Sequence, residues 1–291
     1  MAQLNKRRTE NIPGNFFVDD TCIDCDACRW IAPQVFHEKK DQSAVYHQPQ
    51  NEHETESALR ALVACPTSSI GTVEKIKELR GISKSFPLNI QDNVFYCGYH
   101  SKDSYGAASY FIQREEGNIL IDSPRFAKSL VTQIERMGGV RFLYLTHRDD
   151  VADHKHFQKH FQCERILHAD DVSKETEEVE IKIKGDSPYV LDEENIIIPV
   201  PGHTKGHTVL LYKNQFLFTG DHLAYSPALE HLYAFRNACW YSWPEVVTSM
   251  EKLNHYDFEW ILPGHGRRLY APKDKMKEEM KKCLKWMRTQ N

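Results

Sequence analysis

Four loops of this chain place histidine and aspartate residues directly after apolar runs, which is a pattern that binds metal ions. The loops are THRDDVADH (146–154), GHTKGH (202–207), TGD (219–221) and PGH (263–265). Imidazole nitrogen and carboxylate oxygen suit zinc, iron or manganese. A single histidine is usually structural, but several in strand-end loops together predict a metal site. The candidate metal ligands are His147, Asp149, Asp153, His154, His203, Asp221 and His265.

A second cofactor signature lies near the N-terminus. Cys22, Cys25 and Cys28 are separated by two residues each, and Cys65 follows downstream, next to Pro66. A closely spaced run binds one face of an iron–sulfur cluster, and a distant cysteine completes the ligand set. Structural zinc is the alternative, but zinc sites usually show two separated cysteine pairs. Since all four positions are cysteine, the spacing favours a 4Fe–4S cluster.

Length and charge exclude several classes of protein. A chain of 291 residues can form one large domain or two unequal ones. With 37 Lys and Arg against 41 Asp and Glu, it is too acidic for a typical nucleic-acid binder. No segment approaches the roughly 20 apolar residues of a membrane helix, and the N-terminus has no apolar signal region. We therefore expect a cytoplasmic protein that binds neither nucleic acid nor membrane.

The pattern of apolar residues predicts two domains, 1–80 and 81–291. The first has few long apolar runs, and a bound cluster would supply the stability that its small core lacks. In the second, strands alternate with helices, and two hairpins are predicted with turns at 116–118 and 213–214. The last predicted helix, 272–290, carries its apolar residues on one face. This arrangement is typical of an α/β protein.

The four metal-binding loops resemble the motifs of the metallo-β-lactamase fold superfamily. Residues 146–154 contain both ends of its Thr-His-x-His-x-Asp-His motif, and GHTKGH is similar to the corresponding motif of the glyoxalase II-like branch. The resemblance covers roughly residues 90–291 and implies an αββα sandwich. The sequence DDTCIDCDACRWIAPQVF resembles single-cluster bacterial ferredoxins, which implies a small α+β ferredoxin-like domain before the sandwich.

The resemblance to metallo-β-lactamases also implies a role for each candidate ligand. The first metal ion would be bound by His147, Asp149 and His203. The second would be bound by Asp153, His154 and His265. Asp221 would bridge the two ions, and Asp153 and Asp221 are the residues expected to act in catalysis.

Two departures from the superfamily motif affect these roles. Asp149 stands where a second histidine is expected, and Asp153 follows His147 by six residues where the motif has four. The loop must therefore bulge, which makes Asp150 a rival ligand. A carboxylate in place of an imidazole also favours iron or manganese relative to zinc.

Three functions are compatible with two such cofactors. The first is a metallohydrolase of small molecules, in which a dinuclear site generates hydroxide and polarises a carbonyl; the GHTKGH resemblance points to thioesters or small acyl compounds. The second is a diiron-type oxidoreductase, acting on oxygen, nitric oxide or sulfur compounds, with electrons supplied through the cluster by a redox partner protein. The third is a non-catalytic electron-transfer or iron–sulfur sensor protein. Hydrolysis is the primary prediction, because it is the commonest chemistry of the superfamily.

Overall fold

The computed structural model describes residues 2–290, which form two compact units. The first unit runs to residue 141 and also includes residues 152–163. The second unit includes residues 142–151 and continues from residue 164. The first unit extends past residue 80, and the predicted division into domains 1–80 and 81–291 stays a prediction.

The N-terminal part of the first unit is a small α+β structure. Its elements are β1 (Phe16–Val18), α1 (Ala27–Ile31), β2 (Phe36–Glu38), β3 (Ser43–Val45), α2 (Glu52–Ala64), β4 (Ile70–Thr72) and α3 (Leu79–Ile82). Strands β1 and β4 pair antiparallel, as do β2 and β3. Helix α2 begins at Asn51, whose side chain accepts the Glu54 N–H and satisfies one of the free donors of the first turn. The buried residues Phe36 and Leu59 belong to the core that these elements share.

The remainder of the first unit is an antiparallel meander with two helices. The elements are β5 (Leu88–Gln91), β6 (Val94–Tyr96), β7 (Tyr110–Ile112), β8 (Ile119–Ile121), α4 (Lys128–Arg136) and α5 (His154–Phe161). Each strand pairs with the next along the chain. The hairpin predicted around residues 116–118 is therefore confirmed, because β7 and β8 flank that turn. Strand β5 was not predicted from the sequence.

The second unit contains most of the predicted strands. Its elements are β9 (Phe142–Tyr144), β10 (Glu164–His168), β11 (Ile181–Ile183), β12 (Tyr189–Asp192), β13 (Asn195–Pro199), β14 (Thr208–Tyr212), β15 (Phe216–Gly220), β16 (Ala224–Ser226), β17 (His231–Tyr233), α6 (Trp243–Leu253), β18 (Trp260–Pro263), β19 (Leu269–Tyr270) and α7 (Lys273–Met287). Strands β9, β10 and β11 pair in parallel. A second sheet has the strand order β12-β13-β14-β15-β18-β19.

The hairpin of β14 and β15 turns where the sequence predicts it. Lys213 and Asn214 have φ angles of 55° and 48°, so both central residues lie in the left-handed region that a tight two-residue hairpin turn requires. The strands pair antiparallel on either side of the turn. This hairpin ends at Gly220, directly before Asp221.

Helices α6 and α7 pack on the second sheet through one apolar core. The apolar face predicted for the last helix is confirmed, because four side chains of α7 at helical spacing are buried there: Met276, Met280, Leu284 and Met287. They share this core with Val209, Leu217 and Ile261 of the sheet. None of the helices within residues 2–290 is long and apolar enough to cross a membrane.

Four strands of the second unit end immediately before a loop that carries candidate ligands. Strand β9 ends at Tyr144, β13 at Pro199, β15 at Gly220 and β18 at Pro263. Gly220 has a φ of +48°, and a Cβ atom there would lie 2.5 Å from the Thr146 hydroxyl oxygen. Only glycine allows β15 to approach the end of β9 so closely. The strand ends therefore bring the ligand loops together.

Replacing Met280 with alanine should lower the stability of the protein. Met280 is fully buried in the core beneath α7, and truncating such a side chain leaves a cavity that costs about 2–5 kcal/mol. We expect the midpoint of thermal unfolding, followed by circular dichroism, to fall by several degrees. Lys281→Ala, at the exposed neighbouring position, should leave the midpoint nearly unchanged. Equal midpoints for both variants would contradict the packing of α7.

Candidate metal centre and iron–sulfur site

His147 and His203 lie side by side at the strand ends of the second unit. Their ring centroids are 4.8 Å apart and their planes are nearly perpendicular, at 83°. Both imidazoles are buried. A carboxylate oxygen of Asp149 lies 3.8 Å from His147 Nε2 and 3.4 Å from His203 Nε2. One ligand atom from each of these three residues falls within 4.8 Å of the others, which is close enough to hold one metal ion.

The two imidazole nitrogens that face Asp149 are suited to binding a cation. Among the residues that the structure describes, His147 Nε2 and His203 Nε2 are buried and have no hydrogen-bond partner. An unsatisfied buried polar atom costs about 1–3 kcal/mol, which a bound metal ion offsets. Burial lowers the pKa of His147 to about 4, despite the nearby Asp221 carboxylate. The ring is therefore neutral, which is the form that binds metals.

Asp221 lies between the imidazoles of the site. One of its oxygens is 3.8 Å from Nε2 of both His147 and His203, and the other is 2.7 Å from Nδ1 of His265. Burial alone raises the pKa of the Asp221 carboxyl, but the imidazoles of His265, His147 and His203 outweigh burial and hold that pKa below its usual range. Asp221 is thus an ionised carboxylate at the position where a bridging ligand is expected.

Asp150 is the second carboxylate that the structure places beside Asp221. His147, Asp150 and Asp221 form a further group with ligand atoms within 4.8 Å of one another. A Cβ atom on Gly264 would lie 2.9 Å from an Asp150 oxygen and 3.0 Å from an Asp221 oxygen. Gly264 therefore borders the space that both carboxylates face. Asp150, which the sequence suggested as an alternative to Asp149, is therefore the second carboxylate of this group.

Asp153 and His154 belong to the first unit. Asp153 Oδ2 accepts the backbone N–H of Phe126 at 2.7 Å, and Oδ1 lies 3.5 Å from His156 Nδ1. His154 is the buried first residue of α5. The carboxylate of Asp153, directly before α5, thus already accepts a hydrogen bond from the backbone of Phe126. Its assignment and that of His154 as metal ligands stay predictions.

Two further residues hold the ligand loops in place. The buried carboxylate of Asp171 accepts the Thr204 hydroxyl at 2.5 Å, the Gly206 N–H at 2.7 Å and the Arg148 N–H at 3.1 Å. It therefore joins the loop of His147 to that of His203. The sequence signal for it is an acidic pair, Asp170 and Asp171, that stands shortly after the end of β10. His207 Nε2 accepts the Asp221 N–H at 3.2 Å, so that histidine positions the bridging residue through its backbone.

The four cysteines of the iron–sulfur signature surround one small cavity of the first unit. Its lining comprises Cys22, Cys25, Cys28 and Cys65 together with Val18, Ile23, Ala27, Ser43, Pro66, Thr67, Ser69 and Ile70. Burial raises the pKa of Cys25 to about 12 and also raises the pKa of Cys28 well above its usual value. Such thiols lose their protons only beside strong positive charge, which iron supplies. The cavity and its donors fit a 4Fe–4S cluster.

The loop between the first three cysteines is fixed by an ion-pair network. Asp24 and Asp26 adopt left-handed backbone conformations, with φ angles of 61° and 63°. Arg29 binds both carboxylates, with nitrogen–oxygen distances of 2.7 Å and 2.6 Å. On the other side of the cavity, Cys65 Sγ accepts the Ser69 N–H at 3.3 Å. These contacts therefore fix the orientation of the cysteine loop and of Cys65.

Comparison with protein families identifies the N-terminal segment. Residues 18–72 match the family described as the 4Fe-4S single cluster domain of Ferredoxin I. The match contains all four cysteines, so the predicted ferredoxin signature is confirmed. No curated protein sequence matches the chain.

Comparison with solved structures identifies the fold of the larger part. VMB-1 is 18% identical, covers 69% of this chain and 95% of its own, and has a TM-score of 0.54. DIM-1 metallo-β-lactamase is 16% identical, with coverage of 70% and 96% and a TM-score of 0.54. The metallo-β-lactamase from Pontibacter korlensis is 16% identical, with coverage of 69% and 97% and a TM-score of 0.52. The predicted metallo-β-lactamase fold, preceded by a small iron–sulfur domain, is confirmed.

Asp221→Ala should remove more metal than Asp149→Ala. Asp221 contacts three imidazoles of the site, whereas Asp149 contacts two, those of His147 and His203. We expect metal content beyond the cluster, measured by plasma mass spectrometry, to be lowest in the Asp221 variant. Asp186→Ala, which changes an exposed aspartate, is the control and should retain all metal. Full occupancy without Asp221 would overturn its bridging position.

The cysteine cavity should bind iron and sulfide when air is excluded. We expect anaerobically purified protein to be brown and to contain about four irons and four sulfides beyond any metal at the histidine site. Cys65→Ser should lose this cluster, because it removes a lining thiol. Cys163→Ser, at a buried cysteine outside the cavity, should keep it. Colourless protein with zinc at the four thiols would contradict the assignment.

Proposed function

We propose that this protein is a metal-dependent hydrolase of small molecules with two metal ions at the strand ends of its second unit. One observation carries the proposal. Two buried imidazole nitrogens, on His147 and His203, have no hydrogen-bond partner among the described residues and face the carboxylates of Asp149 and Asp221. A set of imidazole nitrogens and carboxylate oxygens of this kind is typical of hydrolytic metal centres.

The residues divide between two ions. His147, Asp149 and His203 would hold the first ion. Asp150 and His265 would hold the second. Asp221 would bridge the two ions. When bound, such a pair lowers the pKa of a water ligand and polarises a carbonyl oxygen.

The protein's own groups keep this arrangement rigid. His265 and the backbone contact from His207 fix both the side chain and the main chain of Asp221. Asp171 fixes the loop of His203 through Thr204 and Gly206. Ligands supported in this way hold a reacting group in place at little entropic cost. The side chain of Asp149 is 42% exposed, so the site opens to solvent on that side.

An aromatic surface beside His203 favours substrates with an apolar part. Trp240 is 61% exposed, and its ring centroid lies 6.2 Å from that of His203. The backbone N–H groups of Trp240 and Tyr241 both donate to the His203 carbonyl, at 2.9 Å and 3.1 Å. The exposed ring is therefore held next to a metal ligand, where it can stack on a substrate. Together with the glyoxalase II-like motif, this supports thioesters or other small acyl compounds.

A diiron-type oxidoreductase is the second candidate. It is favoured by one specific observation, the carboxylate of Asp149 at a position where the superfamily motif has histidine. The fused iron–sulfur segment would supply electrons to such a site from a redox partner protein. Two irons at the histidine site and consumption of oxygen or nitric oxide by the reduced protein would favour this function.

The hydrolase proposal is tested on anaerobically purified protein loaded with zinc, iron or manganese. The panel contains thioesters with short and long acyl groups, lactones and a β-lactam. We expect metal-dependent thioester hydrolysis, lost on chelation and restored by metal. Absence of hydrolysis with every metal, together with oxygen or nitric oxide reduction, would overturn it in favour of the oxidoreductase.

Trp240→Ala should weaken binding of substrates with long acyl groups. Loss of a stacking aromatic side chain is worth about 0.5–1.5 kcal/mol, so we expect KM to rise by up to about tenfold with little change in kcat. Tyr270→Ala, at another half-exposed aromatic residue, should change neither parameter. An unchanged KM for Trp240→Ala across the acyl series would remove Trp240 from the substrate site.

A further inference from the structure

A segment that is distant in sequence contacts one of the cysteines that line the cavity of the first unit. This segment, residues 98–106, joins β6 to β7. A Cβ atom built on Gly106 would lie 2.6 Å from Cys25 Cβ, 2.8 Å from Cys25 Sγ and 3.2 Å from Pro66 Cγ. Gly106 also has a φ of +84°, which favours glycine. The bare backbone of Gly106 therefore packs directly against a cysteine of the iron–sulfur signature.

A buried hydrogen-bond chain holds Gly106 in this position. The Gly106 N–H donates to the Ser101 carbonyl at 2.8 Å. The Gly106 carbonyl lies 2.6 Å from Nδ1 of His100, whose imidazole is fully buried. Because a carbonyl only accepts, Nδ1 must carry the proton, and Nε2 is then the acceptor for the Tyr96 hydroxyl at 2.5 Å. The chain thus runs from Tyr96 through His100 to Gly106.

Helix α1, which carries Cys28, and the end of α2, directly before Cys65, contact the same hydrogen-bond chain. Trp30, on α1 two residues after Cys28, has its ring centroid 5.1 Å from that of Tyr96 and 6.0 Å from that of His100. The His100 N–H donates to the carbonyl of Ala64, the residue before Cys65, at 3.1 Å. Cys25, Cys28 and Cys65 therefore each lie at or beside a contact with Tyr96, His100 or Gly106.

We propose that Gly106, His100 and Tyr96 are positioning residues for the iron–sulfur cluster. They lie outside residues 18–72, which match the ferredoxin family. Residues that follow the ferredoxin segment in the chain thus support the cluster site, because Gly106 packs against Cys25 and Pro66, which line the cavity. Simple core packing by these residues would affect only stability, whereas positioning also changes the cluster's iron content, EPR spectrum and reduction potential. This proposal does not depend on the hydrolase assignment.

Gly106→Ala is the first test. The added methyl would stand 2.8 Å from Cys25 Sγ, so Cys25 must move away from the iron that it binds. We expect anaerobically purified variant to lose one iron in about four while keeping its sulfide, with the EPR signal of a 3Fe–4S cluster after oxidation. Gly185→Ala is the control, because Gly185 has a similar φ of +78° and no atom within 4 Å of an added Cβ.

Tyr96→Phe is a milder test that keeps the aromatic ring. It removes the hydroxyl that donates to His100, and a net hydrogen bond of about 1 kcal/mol corresponds to about a fivefold change in an equilibrium constant. We expect iron loss to a chelator to be about five times faster and the cluster's reduction potential to shift. Tyr144→Phe, which removes a buried hydroxyl 2.9 Å from Thr208, should leave both cluster properties unchanged.

The wild-type protein provides a test without substitution. Hydrogen exchange followed by mass spectrometry should show faster exchange of the amides in residues 98–106 after the cluster is removed, because Cys25 no longer supports Gly106. Exchange at α7 is the internal control and should not change. Equal exchange of residues 98–106 with and without the cluster, or a Gly106→Ala protein with a full, spectroscopically normal cluster, would overturn the proposal.

Discussion

The second unit depends on how one buried group of imidazoles and carboxylates is neutralised. His147 and His203 are withdrawn from water, and within residues 2–290 their Nε2 atoms have no hydrogen-bond partner; Asp221 remains ionised between them and His265. Each such group is costly to bury alone. The two cations that we propose would satisfy the nitrogens and balance the carboxylates at once. Four strand ends, the Asp171 contacts and the close approach at Gly220 all serve to hold these groups together.

The first unit also buries groups that are costly to bury alone, and in this unit they are cysteine thiols. Burial holds the pKa of Cys25 and Cys28 far above the normal range, so these thiols become ligands only when iron is present. The bound cluster then stabilises a small core, as metals do in other domains of this size. The contact between Gly106 and Cys25 means that this stabilisation also reaches the segment after β6. In both units, bound metal would thus satisfy groups that the protein has buried.

The sequence predicted the parts of the structure that depend on local pattern. The cysteine spacing, the hairpin turn at Lys213 and the strand-end loops were all recognisable because neighbouring residues define them. Local pattern did not determine that Asp150 is the carboxylate beside Asp221. Ala152, with a φ of 24°, turns the backbone before Asp153, and the Asp153 side chain accepts the Phe126 N–H. The roles of Asp171 and His100 depend on contacts between residues distant in sequence, which no motif describes.

Anomalous X-ray diffraction from anaerobically grown crystals tests most directly whether two metal ions bind beside His147, His203 and Asp221. Data collected at the zinc, iron and manganese absorption edges would locate and identify each metal ion. The account predicts two peaks about 3.5–4 Å apart, one beside Nε2 of His147 and His203 and the other beside Asp150 and His265, with Asp221 between them. A single peak at the cysteine cavity, with no metal beside His147 and His203 in metal-loaded crystals, would contradict it.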